Sequence, residues 1–340
     1  MKEIITNISL SSLPKLVSEL GLRSFAADQL IQWLYQKRIP TFEDMTNLSK
    51  ATRHALAERF EIDALEVVGI QKATDGTKKF LCKATDGAAV ECVLIPADDG
   101  RLTVCLSTQV GCKMGCTFCR TARMGFKRDL THGEIVGQLL LVMRDADVDV
   151  TNVVLMGMGE PMANYGAVSE AVRTICDGRA FGLSKMRVTV STAGLIPELC
   201  EFSQEFGVKI AISLNATTDE VRSSIMPINR KYPITKIMEF CRDYSKRSRH
   251  RVTFEYVMMK GINDSEDDAH RLVELLTGVS AKVNLIPFNP FDECDYEAPD
   301  RETVTWWSEF LYTSGIQANI RVSRGQEILA ACGQLATLAN

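Results

Sequence analysis

Hydrophobic and polar positions along the chain follow three successive patterns. Over residues 13–60, apolar side chains recur at helical spacing, which predicts helices. Short stretches at 79–82 and 90–95 then alternate apolar and polar side chains, and an Asp-Gly pair precedes each stretch. Because Asp-Gly pairs between alternating stretches are typical of tight turns, this second pattern predicts a small β-hairpin unit.

From residue 103 onward, strand-like and helix-like stretches alternate. The predicted strands are 103–107, 152–156, 187–191, 209–214, 251–257, 282–287 and 317–322. The predicted helices are 131–146, 164–177, 195–206, 233–247, 265–277 and 300–314. Six strand–helix units in succession imply a parallel sheet with right-handed crossovers. This number suits a partial (β/α)6 TIM-type barrel, in which active residues lie at the carboxyl ends of the strands.

The three patterns divide the chain into four parts of an α/β protein. We expect a helical accessory domain at 1–62, a β-hairpin extension at 63–98, a barrel core at 99–316, and a C-terminal strand and tail at 317–340. A chain of 340 residues that is 46% hydrophobic is long and apolar enough for one large barrel and a small additional domain.

The net charge of −4 argues weakly against a protein covered in basic charge for nucleic-acid binding. Basic residues are nevertheless dense in two places. Residues 113–128 contain five Lys or Arg and no acid, and residues 226–260 contain nine against three acids. Such patches suit phosphate binding, although a charged stretch is often only a solvated face.

Export and membrane signals are absent from the sequence. No uncharged apolar stretch reaches the ~18 residues that a membrane span requires, and the first residues lack the apolar region of a signal peptide. We therefore expect a cytoplasmic monomer with no membrane association. In that compartment, functional cysteines are more often metal ligands or catalysts than disulfide partners. Six of the eleven cysteines have apolar or helical surroundings typical of buried structural residues: Cys82, Cys92, Cys176, Cys200, Cys241 and Cys294.

Three further cysteines form the strongest local motif, Cys112-x3-Cys116-x2-Cys119. Three thiolates this close in one loop can hold three irons of a [4Fe–4S] cluster and leave the fourth iron open. An open iron can bind the amino and carboxylate groups of S-adenosylmethionine (SAM) and deliver an electron to its sulfonium. Structural zinc, which prefers four ligands in paired motifs, and an electron-transfer cluster with a fourth cysteine remain alternatives.

This spacing resembles the motif of the radical SAM superfamily, and other segments fall at strand ends as that family places them. The GMGEP segment at 157–161 follows the second strand and is similar to the family motif whose backbone meets the SAM amino group. Taken singly, each polar strand-end residue could equally cap a helix. The resemblance implies SAM contacts from Gly159, Glu160, Ser191, Ser213, Leu214, Asn215 and Asn289.

Two more cysteines carry a closer resemblance. By the two-residue period of a strand, Cys105 faces into the barrel while Val104 and Leu106 face outward. Cys332 lies in the AACGQL segment near the C-terminus. Taken alone, each would be interpreted as structural. Together with VECVLIP (90–96), VCLSTQVGCKMGCTFC (104–119), MPIN (226–229) and NLIPFNP (284–290), they resemble the RlmN/Cfr family of ribosomal RNA methyltransferases over nearly the whole chain.

The resemblance implies a radical SAM methyltransferase that uses one [4Fe–4S] cluster and two SAM molecules per turnover. Cys332 would take a methyl group from the first SAM. A radical made from the second SAM would remove hydrogen from that methyl group, and the resulting carbon radical would add to adenine. Cys105 would then attack the Cys332 sulfur, releasing the methylated base and leaving a transient disulfide. The family also implies that Glu91 is a proton acceptor, although a glutamate in a strand is otherwise a surface carboxylate.

The same resemblance implies the RNA substrate. We expect methylation at carbon 2 of an adenosine in 23S rRNA at the peptidyl-transferase centre, with the adenosine next to the tRNA anticodon as a second candidate, and an electron-donor protein as partner. The N-terminal helices resemble the family's RNA-binding domain. Methylation at carbon 8, or a radical SAM enzyme of another class, are the alternatives. Two departures from the family are Cys92, where threonine is common, and Asn215, where many members have histidine.

Overall fold

The computed structural model describes residues 2–337. Its strands are β1 (Glu3–Ile4), β2 (Phe60–Glu61), β3 (Leu65–Lys72), β4 (Lys78–Ala84), β5 (Ala89–Pro96), β6 (Leu102–Cys105), β7 (Gln109–Gly111), β8 (Phe126–Asp129), β9 (Asn152–Leu155), β10 (Val188–Thr192), β11 (Lys209–Ser213), β12 (Val252–Met258), β13 (Ala281–Pro287) and β14 (Gln317–Ile320). Its helices are α1 (Leu13–Glu19), α2 (Ala26–Ile31), α3 (Lys50–Arg59), α4 (Arg120–Arg123), α5 (His132–Ala146), α6 (Tyr165–Cys176), α7 (Ile196–Glu205), α8 (Asp219–Ile225), α9 (Ile234–Arg247), α10 (Glu266–Leu276) and α11 (Arg301–Thr313).

Ten of these strands form one sheet, in the order β14-β13-β12-β11-β10-β9-β6-β5-β4-β3. Seven strands of this sheet run parallel to one another: β6, β9, β10, β11, β12, β13 and β14. The remaining three, β5, β4 and β3, continue the sheet as antiparallel neighbours. The fold is therefore an α/β partial barrel, as the alternating pattern predicts, and its sheet ends at β3 and β14 without closing.

The hairpin unit differs from the prediction by one strand. The sequence predicts two strands here, and the structure adds β3, which pairs with β4 through a register irregularity between Val67 and Gly69. This bulge and the half-exposed face of β3 explain why no regular alternation was visible over Leu65–Lys72. The extension is also continuous with the barrel, since Val93 of β5 pairs with Cys105 of β6.

The Asp-Gly turns form as the sequence predicts. In the β3–β4 turn, the Asp75 carboxylate accepts the Thr77 N–H at 2.9 Å, and Gly76 has a φ of +83°. In the β4–β5 turn, the Asp86 carboxylate accepts the Ala88 N–H at 2.9 Å. Aspartate bonding to the backbone two residues later and glycine at positive φ are what such turns require.

Helix α5 connects the N-terminal helices to the barrel. The helix begins with a capping box in which Thr131 and Glu134 each accept the other's backbone N–H. Its Gly133 N–H donates to the Asn7 side chain at 2.8 Å, and a Cβ at Gly133 would lie 2.5 Å from that side-chain oxygen. The N-terminal segment therefore packs directly against the backbone of α5.

Among residues 2–337, no helix is both long and apolar enough to cross a membrane.

Candidate active site

The three motif cysteines lie in a loop whose base is a short hairpin. After β6 the chain forms β7, passes through Cys112, Cys116, Cys119 and α4, and returns as β8, which pairs antiparallel with β7. The Cys112 N–H donates to the Gly125 carbonyl at 3.0 Å, which closes the loop. The sequence did not reveal this hairpin because its strands have only three and four residues.

Gly111 makes this closure possible. Its φ is +75°, and a Cβ at this position would lie 1.8 Å from the Gly125 carbonyl oxygen. No side chain fits at that distance, so only glycine allows the two ends of the loop to meet immediately before Cys112.

The three cysteines share one cavity of about 160 Å³, at the carboxyl ends of the barrel strands. Among residues 2–337, no three His, Cys, Asp or Glu side chains are arranged to hold a single metal ion. Burial raises the pKa of the Cys112 thiol to about 12 and that of the Cys116 thiol well above its ordinary value. The residues present fit an iron–sulfur cluster in their donor chemistry, and binding iron as thiolates would release their protons.

Five of the seven residues predicted to contact SAM line the same cavity: Gly159, Glu160, Ser191, Ser213 and Asn215. The other two do not. Leu214 is fully buried, and its backbone pairs with Glu255 and Arg222. Asn289 is buried at 3% exposure, and its side-chain amide donates to the Cys332 carbonyl at 3.1 Å. Asn289 therefore supports the Cys332 segment in this structure.

The GMGEP turn is interlocked with the loop that follows β6. The Thr108 N–H donates to the Met158 carbonyl at 2.8 Å, and the Glu160 N–H donates to the Gln109 side chain at 3.0 Å. Gly159 has a φ of +101°, and a Cβ there would lie 2.6 Å from the Cβ of Gln109. The glycine therefore holds the proposed SAM-binding turn against the segment that leads to the cluster loop.

Glu160 uses its carboxylate to hold backbone. The two oxygens accept the Met162 N–H at 3.0 Å and the Ala193 N–H at 2.7 Å. Burial raises the pKa of this carboxyl group to about 7, although both backbone hydrogen bonds oppose the rise. The side chain thus ties the end of β9 to the end of β10.

Arg222 is a site residue that the sequence did not reveal. Its guanidinium is completely buried and donates to three carbonyls at strand ends, those of Ala193 at 2.7 Å, Ser213 at 3.0 Å and Leu214 at 2.9 Å. Burial lowers the pKa of Arg222 to about 10, and the nearby Cys116 opposes the fall. An arginine in a short helix looks like a solvated residue in sequence, so no pattern indicated this role.

Cys105 and Cys332 meet in a second cavity of about 130 Å³, which Cys119 and Arg321 also line. Cys332 lines the first cavity as well. It is exposed, and the surface it exposes faces these cavities, whereas Cys105 is buried. Burial raises the pKa of the Cys105 thiol to about 12, and desolvation within the cavities also raises the pKa of the Cys332 thiol. The charge of the Arg321 guanidinium opposes both rises. Cys332 therefore adjoins both the cavity of Cys112, Cys116 and Cys119 and the cavity of Cys105.

The segment that carries Cys332 is held by polar contacts from several elements. The Arg120 N–H donates to the Gly333 carbonyl at 2.8 Å, and the Thr121 hydroxyl donates to the Leu335 carbonyl at 2.6 Å. The Gln334 side chain donates to the Pro290 carbonyl at 2.8 Å. These bonds attach the segment to the cluster loop and to the end of β13.

Glu91 lies behind this segment and lines neither cavity. Only 6% exposed, it contacts Lys79 at 3.0 Å and accepts the Ala336 N–H at 3.0 Å. Burial raises the pKa of Glu91, and the charge of Lys79 opposes this. The neighbouring Cys92 points to the opposite face of the sheet, together with its cross-strand partner Phe80. The departure from threonine at residue 92 therefore does not touch the site.

The basic residues of 113–128 have different surroundings. Arg128 donates to Glu134 at 2.8 Å and to Asp86 at 2.7 Å, and Arg120 is buried beside Glu293. These two arginines hold the fold together. Three cations remain exposed beside the cluster loop: Lys113, Arg123 and Lys127.

The basic residues of 226–260 are divided between the two ends of the barrel. Ser213 ends β11 at the cavity, and β12 runs parallel to β11, so the start of β12 lies at the opposite end. Arg247, Arg249 and Arg251 are exposed at that opposite end. Only the residues near 230 and 260 are close to the mouth of the barrel.

Comparisons with known proteins agree with this architecture. Family models match at residues 106–273, for the radical SAM superfamily, and at residues 5–62, for the ribosomal RNA large subunit methyltransferase N-terminal domain. A protein named dual-specificity RNA methyltransferase RlmN from Geotalea uraniireducens is 46% identical over 97% of this chain and 96% of its own length. A protein of the same name from Syntrophotalea carbinolica is 43% identical over 97% of this chain and 89% of its own length. The crystal structure of a radical SAM methyltransferase from Sphaerobacter thermophilus matches with a TM-score of 0.94 at 40% sequence identity. The match covers 98% of this chain and 99% of that one.

Proposed function

The chain belongs to the RlmN family of radical SAM RNA methyltransferases, and from this premise we propose that it methylates carbon 2 of an adenosine in 23S rRNA at the peptidyl-transferase centre. The relatives' name, dual-specificity RNA methyltransferase, supports a second substrate, which we propose is the adenosine next to the tRNA anticodon. The family implies a [4Fe–4S] cluster and SAM. We assign the cluster to Cys112, Cys116 and Cys119, with two SAM molecules used per turnover and a protein as electron donor.

The observation that carries this proposal is the position of Cys332. It lines the cavity that contains the three cluster cysteines and the cavity that contains Cys105. A methyl group on its sulfur would face the first cavity, where the cluster and SAM are proposed to bind. The sulfur itself would remain accessible to Cys105 in the second cavity. Cys119, a proposed cluster ligand, also lines both cavities, so the two cavities adjoin where the cluster loop meets the Cys332 segment.

When bound, the cluster and SAM would supply the methyl group, the electron and the 5′-deoxyadenosyl radical. The chain's own residues perform the remaining work. Cys332 accepts the methyl group as a thiolate and then carries the one-carbon bridge to the adenine. Cys105 attacks the Cys332 sulfur as a thiolate, which forms an S–S bond and breaks the C–S bond to the base. The electron pair of the broken bond stays on the bridging carbon, which takes up a proton and so becomes the methyl group. Reduction of the disulfide by cytosolic thiols restores both cysteines.

Glu91 is the proposed proton acceptor of the reaction, for the proton that leaves the methylated carbon of the base. In this structure both of its oxygens are engaged, one by Lys79 and the other by the Ala336 N–H. Each carboxylate oxygen has two lone pairs, so each keeps one that can accept a proton while these contacts persist. The Cys332 segment and the proton acceptor are thus connected by one hydrogen bond.

The experiment that tests these roles compares Cys105→Ala with Cys332→Ala in cells, by denaturing gel electrophoresis with and without nuclease. Cys105→Ala should accumulate a protein–RNA crosslink, because the second thiolate that would attack the Cys332 sulfur is missing. Another cysteine could replace it only if its Cα atom lay within ~7 Å of that of Cys332, which is about the limit for forming a disulfide. Cys332→Ala should give none, because it cannot carry the methyl group.

Digestion of the crosslinked band to a single nucleoside identifies the carbon atom. We expect adenosine joined at carbon 2 through a one-carbon bridge to Cys332. Joining at carbon 8 would place the chain in the other class of the family. An RNA-linked band from Cys332→Ala, or its absence from Cys105→Ala, would overturn the assignment of the two cysteines.

A further inference from the structure

Lys79 is a buried lysine on β4 with no role in the reaction described so far. Its side chain and that of Glu91 are each only 8% exposed, and their charged atoms are 3.0 Å apart. A buried lysine is rare unless it is paired, and removing one partner of a buried pair leaves the other uncompensated. The Lys79–Glu91 pair is therefore a specific feature of this fold.

The pair faces the catalytic side of the sheet. Lys79 lies directly across from Val93 on β5, and Val93 lies directly across from Cys105 on β6. Directly opposed residues share a face, so Lys79, Val93 and Cys105 form one row across three strands. With about 4.8 Å between neighbouring strands, the backbone of Lys79 is about 10 Å from that of Cys105.

The two side chains grip the Cys332 segment on both sides of the cysteine. The Lys79 ammonium group donates to the Leu329 carbonyl at 3.4 Å, three residues before Cys332. The Glu91 carboxylate accepts the Ala336 N–H at 3.0 Å, four residues after it. The ion pair thus connects the two ends of the segment that places Cys332 between the cavities.

Glu91 is also fixed from its own backbone. The Ser107 hydroxyl donates to the Glu91 carbonyl at 2.6 Å and accepts the Met158 N–H at 2.8 Å. Ser107 follows β6, and Met158 belongs to the GMGEP turn. The grip on the segment is therefore anchored to the proposed SAM-binding turn by consecutive hydrogen bonds.

We propose that Lys79 is a positioning residue that, through Glu91 and the Leu329 carbonyl, holds the segment 329–336 so that Cys332 lies between the two cavities. This inference rests on the proposed function, because it assumes that Cys332 carries the methyl group. Lys79 does not touch the reacting atoms. It fixes where the methyl carrier is, and it keeps the proposed proton acceptor in contact with the segment that bears this carrier.

The test is hydrogen–deuterium exchange of the whole protein without cofactor or RNA, followed by mass spectrometry of peptides. In Lys79→Met, exchange across 329–336 should accelerate roughly tenfold, because a charge-assisted contact is lost and Glu91 is left unpaired. The matched control is Lys78→Met on the same strand. The side chain of Lys78 faces the other side of the sheet and lies 4.0 Å from Asp145, so exchange of the segment should stay at the wild-type rate.

Lys79→Arg supplies the second variant, because it keeps a cation beside Glu91 and should restore most of the protection. Wild-type exchange of 329–336 in Lys79→Met would overturn the proposal. Accelerated exchange over the entire sheet in both Lys79 variants would also overturn it, because Lys79 would then maintain the fold as a whole.

A functional readout separates this inference from the proposed function. In the Cys105→Ala background, Lys79→Met should reduce the crosslink yield roughly tenfold while iron content stays unchanged. An undiminished crosslink would contradict the positioning role. If Cys332→Ala still methylated RNA, the proposed function would fail, whereas the exchange result for the segment would stand on its own.

Discussion

At the scale of single residues, the polar groups of the site mostly hold backbone. Glu160 accepts two N–H groups, Arg222 donates to three strand-end carbonyls, and the Asn215 side chain accepts the Val257 N–H at 2.8 Å. Asn215 has a φ of +58°, a left-handed conformation that asparagine tolerates better than most residues. Buried polar groups must find partners, and here those partners fix the rim around the cavity.

The sequence predicted the types of residue at this rim but not their tasks. Ser191, Ser213 and Asn215 line the cavity as expected. Leu214 and Asn289 do not, because strand period and loop packing decide which of several adjacent residues faces inward. The role of Arg222 could not be predicted from the sequence, since only the folded chain shows that its guanidinium meets three strand-end carbonyls.

Four cysteines line the cavity, and only three of them are proposed ligands of the cluster. Measuring the iron content of single cysteine variants therefore tests which of the four hold the cluster. Cys112→Ala, Cys116→Ala or Cys119→Ala should each lose most of the iron bound after anaerobic reconstitution, since two thiolates hold a cubane poorly. Cys332→Ala should keep wild-type iron and the wild-type visible absorption. Loss of iron from Cys332→Ala would instead make Cys332 a fourth ligand and remove the open coordination position.

At the scale of elements, the barrel was predictable because its periodicity is strong. The predicted strand 209–214 is observed as Lys209–Ser213, and the predicted helix 131–146 as His132–Ala146. The elements that sequence missed are short or irregular. Strand β3 contains a bulge, and β7, β8 and α4 have three or four residues each. In such elements, local propensity is weaker than the packing that creates them.

Gly159→Ala is the test of this element-level packing. The new methyl group would lie 2.6 Å from Gln109 in a backbone conformation with a φ of +101°. The GMGEP turn and the segment before the cluster must then separate, which should destabilise the protein by about 2 kcal/mol or more.

The control for that variant is Gly166→Ala, at an exposed position in α6 where an added Cβ meets nothing within 4 Å. Alanine there should stabilise the helix by about 0.5–1 kcal/mol. Thermal unfolding and SAM binding of both variants provide the comparison. Equal stability of Gly159→Ala and wild type would show that the turn can move away from Gln109 without cost.

At the scale of the whole molecule, the site is assembled from residues more than 200 positions apart in the chain. Glu91 on the extension and Ala336 near the C-terminus are joined by one hydrogen bond, and Asn289 supports Cys332. Periodicity can place each element, but it cannot show which loops meet. Only the family resemblance brought Cys105 and Cys332 together before the structure placed them in one cavity.

The molecule as a whole also carries exposed basic residues at both ends of the barrel, and this allows a matched test of RNA binding. Lys113, Arg123 and Lys127 lie beside the cluster loop, whereas Arg247, Arg249 and Arg251 lie at the opposite end. Replacing either set with glutamine changes the net charge by the same amount. Only the first set is close enough to the cavity mouth to contact the phosphates that flank an adenosine entering it.

We therefore expect the triple glutamine variant at the mouth to bind substrate RNA roughly tenfold or more weakly at physiological salt, with the slope of log affinity against log salt reduced by about 2. The variant at the opposite end should retain wild-type affinity and slope. Binding measured over a range of salt concentrations, with iron content as a check on the nearby cluster loop, distinguishes the two. Equal loss in both variants would mean that the net charge of the protein, and not a surface at the mouth, attracts the RNA, because a site-specific contact cannot be weakened from the far end of the barrel.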